Sequence, residues 1–442
     1  MSDTFFKPVP EDYLILGQDQ YYSRNGKKTK LNENVIVVGA SGAGKSRSIV
    51  RPNILQASGS YIISDPKGSL YDEMGPYLES KGYKVLCMDF IHPENSLRYD
   101  PFSHCKSTRD IQKLAHSLVY EMGQAQGRVN TYDPFWDKTS EIAICAVAGL
   151  LFEDKELSSS EYTILDVLET LRRANRTTHG SASRGKSYLD TLMEDHEEQM
   201  LANDKISFAA AKYADFNAAP DRTYQTIIIC SLAAISFFDT MECRKMFSGN
   251  DIDFTSIGKE PTALFVKVSD TDRSMDLIVN LFYSQLMNEL CEFADHCKGN
   301  TLPVPVRFIL DDFATNARIV DFDKIISNIR SRGISAHIML QSESQLIGAY
   351  GEFAAKTIVD NCNSYVYMGG TSAEQADIIG KRANKQMNTI LNMPIGKSWI
   401  FRRGQEPVLC RNFDLEWFQK EKGFVPYEAA RQMNTGEERD AV

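Results

Sequence analysis

The 442-residue chain predicts an α/β protein whose mainly parallel sheet is split by an inserted all-α domain. Three observations carry that prediction. Short apolar runs bounded by turn residues alternate with helical segments early and late in the chain, as parallel strands joined by crossover helices do. Between them, residues 107–246 show helical periodicity and little that alternates like a sheet. The first core run, "VIVV", passes straight into a glycine-rich loop that opens a helix.

The elements follow in order. The opening "MSDTFFKPVPEDY" is too polar for a secretory signal. "DYLILG" and the polar segment around "YYSRNGKKTKLNEN" read as a hairpin feeding the first core strand, Asn34 to Val38, so residues 1–30 form a lead and hairpin. "SYIISDPKG" and "YKVLCMDF" are two further strands, with a helix over Leu70 to Lys81 and turns at Pro66 and Gly82. After "RYDPFSH" come the helical segments "IQKLAHSLVYEM", "SEIAICAVAGLLF", "YTILDVLETLRRA" and "TYQTIIICSLAAIS". The apolar run Thr226 to Phe238 is too short to span a bilayer, and its polar flanks suit a buried core helix. Strands then resume with Thr262 to Val268, Val306 to Asp312, Ala336 to Ser342, Ser364 to Gly369 and "SWIFRRG", with helices such as Ser274 to Phe293 between them. The reading is one nucleotide-binding core (31–106 and 247–415), an all-α insertion (107–246) and a peripheral charged tail (416–442).

Composition narrows the function. A formal charge of −10 excludes a surface built throughout to coat nucleic acid, while leaving room for a local basic channel. Nine cysteines lie scattered, and the Cys291/Cys297 pair has no matching second pair, which argues against zinc. They predict mostly buried thiols in a reducing, cytosolic compartment.

The loop "GASGAGKS" matches the phosphate-loop pattern in full, with Gly39, Gly44, Lys45 and Ser46 at the required spacing. Successive N–H groups around Gly42 to Lys45 can wrap a β-phosphate, and the helix that follows favours negative charge. Gly39, Ser41, Gly42, Ala43, Gly44, Lys45, Ser46 and Arg47 are the candidate nucleotide contacts. Lys45 supplies a mobile positive charge to the β/γ-phosphates, and the Ser46 hydroxyl can ligate Mg²⁺. Such a site needs a carboxylate at a strand end, and "VRFILDD" offers Asp311 for the metal shell and Asp312 to polarise the attacking water. "IMLQS" places Gln341 as a sensor beside the γ-phosphate. "SDPKG" presents Asp65 and Lys67 at a strand's C-terminal edge, where ligand sites cluster in open α/β sheets, although a turn with solvated charges has the same composition. In "NIRSRGIS", Arg330 or Arg332 could reach a neighbour's γ-phosphate in an oligomer, and a surface ion pair explains one of them equally well.

The segments "VVGASGAGKSRSIVRPNI", "SYIISDPKGSLYDEMG", "LRYDPF", "DPFWDK", "VRFILDDFA", "IISNIRSRGIS", "LQSESQLIGAYG" and "IVDNCNSYVYMGG" together resemble the VirD4/TraG type IV secretion coupling proteins, especially those of Gram-positive conjugative elements. The likeness runs from about Leu31 to Arg402 in order and spacing. It implies a RecA-like P-loop NTPase core with an all-α insertion that assembles as a hexameric ring. It implies use of ATP and Mg²⁺ to deliver relaxase-bound single-stranded DNA, or protein substrates, to a type IV secretion channel at the inner membrane. It further implies that Lys45 and Ser46 are the Walker A pair, Asp311 the Walker B carboxylate, Gln341 the sensor, and Asp65 with Lys67 part of the DPKG motif.

Two features depart from that family pattern. Its members carry transmembrane helices ahead of the motor, whereas 38 residues precede Gly39 here; the expectation is a trimmed cytosolic fragment or a variant that docks through partners. The family reads Asp-Glu at the Walker B end, and this chain reads Asp311-Asp312. A carboxylate short by about 1 Å can cost about 10²-fold in rate. The most basic stretch of the insertion is "LRRANR" with Arg172, Arg173 and Arg176, supplemented by Arg184 and Lys186 and opposed by the acidic "MEDHEEQM". The alternatives are another hexameric DNA-translocating ATPase, or an ATP-binding docking protein with little turnover. A dinucleotide dehydrogenase is excluded, because Lys45-Ser46 stands where a dinucleotide must lie against glycine backbone.

Overall fold

The computed structural model describes residues 6–125, 134–174, 186–313 and 319–424. Two compact units result, one of Met1–Ile91 with Asp253–Val442, the other of His92–Ile252. The helical unit thus spans more sequence than the 107–246 read from periodicity.

The first unit carries eleven strands among its described residues: β1 (Tyr13–Gly17), β2 (Gln20–Ser23), β3 (Val35–Val38), β4 (Ser60–Asp65), β5 (Lys84–Asp89), β6 (Thr262–Lys267), β7 (Val306–Leu310), β8 (Ile334–Leu340), β9 (Ser364–Tyr367), β10 (Lys397–Arg402) and β11 (Val408–Arg411). β1 and β2 form the expected antiparallel hairpin. The other nine make one sheet in the order β11-β10-β9-β3-β8-β7-β4-β6-β5. From β9 to β5 every pairing is parallel, and β10 and β11 add an antiparallel margin. The inner strands β3, β4, β7, β8 and β9 are buried along their whole lengths, which is why they read as mainly apolar segments, with a few buried polar residues such as Arg307 and His337. Edge strand β11 is only partly buried, and its "VLCR" gave no apolar run to read.

The reading of the tail from Glu416 as peripheral is corrected for residues 416–424; residues 425–442 lie outside the described residues. Leu415–Lys422 is a helix, started by Asp414, whose side chain accepts from Trp417 N–H at 3.0 Å, and stopped by Gly423 at φ 66°. Leu415 and Phe418, three residues apart and hence on one face, are buried in the main core. Of the nine cysteines only Cys105, Cys145 and Cys243 are fully buried; the other six are half-buried.

In the helical unit, Asp100 of the "RYDPF" motif is wholly buried and accepts N–H bonds from Phe102, Ser103 and Ile164, tying the chain to the start of helix Ile164–Arg173. Burial pushes its pKa up to about 6 against those bonds. The run Thr226 to Phe238 is corrected from a buried core helix to an amphipathic one, Asp221–Ile235, with Ile227, Ile228 and Ile235 inside and Ile229 60% exposed. The basic stretch is largely neutralised: Arg172 pairs with Asp239, Arg173 with Glu169 at 3.5 Å, and Lys186 with Glu194 at 2.5 Å. Arg176 and Arg184 lie outside the described residues.

Glu153 is this unit's buried hub, meeting His196 Nε2 at 2.8 Å and accepting from Ser207 Oγ at 2.8 Å and Phe208 N–H at 2.7 Å. Burial pushes Glu153 up, but the bonds from His196, Ser207 and Phe208 outweigh it, and its pKa falls below the ordinary 4.5. A depressed carboxylate stabilises the fold above its unfolded pKa and loses that contribution as pH falls through the folded value. Glu153→Ala is therefore expected to destabilise the unit by about 3 kcal/mol at neutral pH, by stranding His196 and Ser207. In urea melts the gap between wild type and variant should narrow below about pH 4.5; a gap that does not change with pH would contradict this account.

Candidate nucleotide site

β3 delivers the phosphate loop to the C-terminal edge of the sheet between its two neighbours. Gly39 N–H donates to Leu340 O at 3.1 Å and Ala40 N–H to Gly369 O at 3.0 Å, so the loop leaves the sheet anchored on both sides. A Cβ on Gly39 would stand 2.9 Å from Met368 Cβ, which bars any side chain there. Gly42 and Gly44 turn the loop with φ of 77° and 92°, in the region that favours glycine. The helix then opens with one wide turn, Arg51 N–H reaching Ser46 O, before Arg51–Leu55.

Of the predicted groups, Lys45, Ser46 and Asp311 come together here. Ser46 Oγ donates to Asp311 Oδ2 at 2.5 Å, joining residues 265 apart in sequence. β7 ends at Leu310, so Asp311 stands just beyond the strand, 7% exposed. Burial pushes its carboxyl above the ordinary range; the Ser46 bond opposes that and the neighbouring Asp312 adds to it. Lys45 is also buried, and its Nζ donates to Gly39 O at 2.7 Å and Ala40 O at 3.3 Å. Burial pulls its pKa below 10.5, and the fields of Asp312 and then Asp311 oppose that.

A hydroxyl and a carboxylate joined by one hydrogen bond at the end of the glycine-rich loop form a donor set suited to a divalent cation, hard oxygens on both sides. The loop amides, the helix start and Lys45 suit the phosphates. The fit is sound on both counts.

Asp312 has φ 49°, a left-handed backbone that short polar Asp and Asn tolerate better than other non-glycine residues. Gln341 directly follows β8, the strand beside β3, and is exposed with its N–H donating to Gln345 Oε1 at 3.1 Å.

Other predicted residues are not brought to the loop. Asp65 ends β4, three strands from β3 or about 14 Å at the usual strand spacing. It is buried and accepts from Tyr71 N–H at 2.8 Å, so it caps helix Ser69–Ser80 rather than facing a phosphate. Lys67 is exposed in the same turn. Arg330 and Arg332 precede β8, whereas the loop lies past its far end, so seven strand residues or about 23 Å separate them. Arg332 is held by Asp295 in a paired bond of 2.9 and 2.8 Å, and Arg330 donates to Gly26 O at 3.4 Å. Arg47 points to Glu416 at 2.5 Å, both side chains well exposed. Sequence reasoning also missed Asn412, whose side chain donates to Ala43 O within the loop at 3.3 Å. It carries no motif and lies 369 residues from its partner, so only the fold reveals it.

Among the described residues no helix is long and apolar enough to cross a membrane. Residues 5–390 match the family model for type IV secretory system conjugative DNA transfer. No curated protein matches the chain. Among solved structures, the bacterial conjugative coupling protein TrwBdeltaN70 with sulphate is 15% identical at TM-score 0.63, covering 92% of this chain and 90% of that one. The plasmid coupling protein TrwB with ADP and Mg²⁺ is 14% identical at TM-score 0.61, covering 92% and 90%. VirB4 of Thermoanaerobacter pseudethanolicus is 12% identical at TM-score 0.56, covering 92% and 98%. These likenesses bear out the RecA-like core split by helices, and the match over most of its length shows that the chain belongs to the type IV secretory system conjugative DNA transfer family.

Proposed function

We propose that this protein is an ATPase motor of conjugation that drives single-stranded DNA with its bound relaxase, or a protein substrate, into a type IV secretion channel. The observation that carries this reading is the Ser46–Asp311 bond, in a chain whose residues 5–390 match the conjugative DNA transfer family. It joins the phosphate loop to the acidic strand end, the two halves that phosphoryl-transfer motors need together.

In the proposed reaction the loop amides and Lys45 bind the β- and γ-phosphates of ATP. Ser46 and Asp311 would hold Mg²⁺, which neutralises charge building on the phosphate oxygens. Asp312 takes the proton of the attacking water as the bond to the γ-phosphorus forms and the bond to the bridging oxygen breaks. ADP and phosphate leave. Gln341, one strand from the loop, reports the γ-phosphate to helix Glu343–Tyr350. A neighbouring copy would complete the site in a hexameric ring, and Arg330, away from the loop of its own chain, is the better candidate to act there because Asp295 already holds Arg332. The motor would work at the cytoplasmic face of the membrane.

ATP turnover measured against protein concentration, with and without single-stranded DNA, tests the reading. Stimulation by DNA and a steep rise with concentration are expected, both absent in Lys45→Ala. Negligible turnover at every concentration, with ATP still bound, would replace the motor with a nucleotide-gated docking protein.

A further inference from the structure

We infer that Asn412, beyond the family match, is a positioning residue for the phosphate loop. The inference rests on nucleotide binding at the loop and is independent of DNA transport.

The argument begins with Gly44. At φ 92° and without a Cβ, it lets the peptide between Ala43 and Gly44 swing between two orientations at little cost. Only one serves the site. In a trans peptide the carbonyl and the following N–H point in opposite directions. Turning Ala43 C=O outward therefore turns Gly44 N–H toward the phosphate position; the reverse would aim a carbonyl oxygen at an anion. The loop's own sequence does not make that choice.

Asn412 makes it. Its Nδ2 donates to Ala43 O at 3.3 Å, from outside the loop. A carbonyl can only accept, so the group facing it must be the NH₂ end of the amide. That orientation is enforced at the other end, where Ser398 Oγ donates to Asn412 Oδ1 at 2.5 Å and Ser398 is almost fully buried. The backbone of Asn412 is fixed as well, its N–H on Gly396 O at 2.8 Å. A third anchor lies one residue earlier, where Gln18 N–H donates to Arg411 O at 2.9 Å. The antiparallel margin β10–β11 thus acts as a rigid arm that ends on the Ala43 carbonyl.

Because the orientation matters for binding phosphates and not for holding the fold, the effect should fall on nucleotide affinity. Asn412→Ala is expected to weaken ADP binding by calorimetry about tenfold, the size of one hydrogen bond aligning a charged ligand. The KM for ATP should rise about tenfold with kcat held within about threefold, and the melting temperature without nucleotide should stay near that of the wild type. Ser398→Ala, which leaves the amide in place but free to rotate, should weaken ADP by two- to threefold, on the order of half a kcal/mol. Lys45→Ala is the reference for a broken loop. ADP affinity within twofold of wild type in Asn412→Ala would overturn the inference, as would a larger loss in Ser398→Ala than in Asn412→Ala. If Asn412→Ala does not fold, Ser398→Ala decides alone: unchanged ADP affinity overturns the inference. A wild-type chain that binds no ADP would overturn the reading of the loop itself.

Discussion

Replacing Lys45 with alanine is expected to lower ATP turnover by about 10³-fold. Lys45 is a buried ammonium held by the Gly39 and Ala40 carbonyls and acted on by the charges of Asp312 and Asp311. Those carbonyls are weak partners that γ-phosphate oxygens can replace, so the charge is held in readiness rather than locked. A preorganised cation in a partly dry site stabilises transition-state charge far more than one in water, and losing one such donor typically costs 10²–10³-fold. Here the loss is compounded, because Asp311 and Asp312 would then face the triphosphate without a neutralising charge between them. Steady-state hydrolysis at saturating Mg²⁺-ATP measures it. Turnover within tenfold of wild type would show that the loop is not the hydrolytic site.

How far the site could be read in advance depended on whether its logic was local. The loop was legible because its glycines, Lys45 and Ser46 must be consecutive to wrap one phosphate. Asp311 was legible because it follows the apolar run Phe308, Ile309 and Leu310, which reads as an inner strand. Arg47 and Asp65 were read as nucleotide contacts, and Arg332 as either a trans-acting arginine or a surface ion pair, the second of which its Asp295 contact fits. Each sits in a motif or beside one, yet each finds a partner, Glu416, Tyr71 N–H or Asp295, that only folding brings near. Phe418 and Asn412 were missed from the other side, since a charged helix and a half-exposed edge strand carry no strong periodicity even when one face meets the core. The fold class was set by the inner strands, whose burial on both faces favours mainly apolar runs.

The second large effect concerns Asp312, which is expected to tolerate neither neutralisation nor lengthening. Its backbone sits at φ 49°, so the residue there must be short and polar, or glycine, to avoid strain. That requirement gives a physical reason for an aspartate at this position, and its charge acts on the Lys45 ammonium. Asp312→Asn keeps the shape and the backbone preference and removes only the proton acceptor. Turnover should fall by about 10²–10⁴-fold, the span of general-base catalysis, with ADP binding and melting temperature unchanged. Asp312→Glu restores a carboxylate but brings backbone strain of about 1 kcal/mol and extends the side chain by more than 1 Å, so about tenfold slower hydrolysis than wild type is expected. The two variants separate chemistry from geometry. A Glu variant faster than wild type would mean that reach, not backbone, limits this carboxylate, and an Asn variant at wild-type speed would move the base elsewhere. In the expected order, with wild type fastest, then Glu, then Asn, the left-handed turn after β7 compensates for the missing methylene.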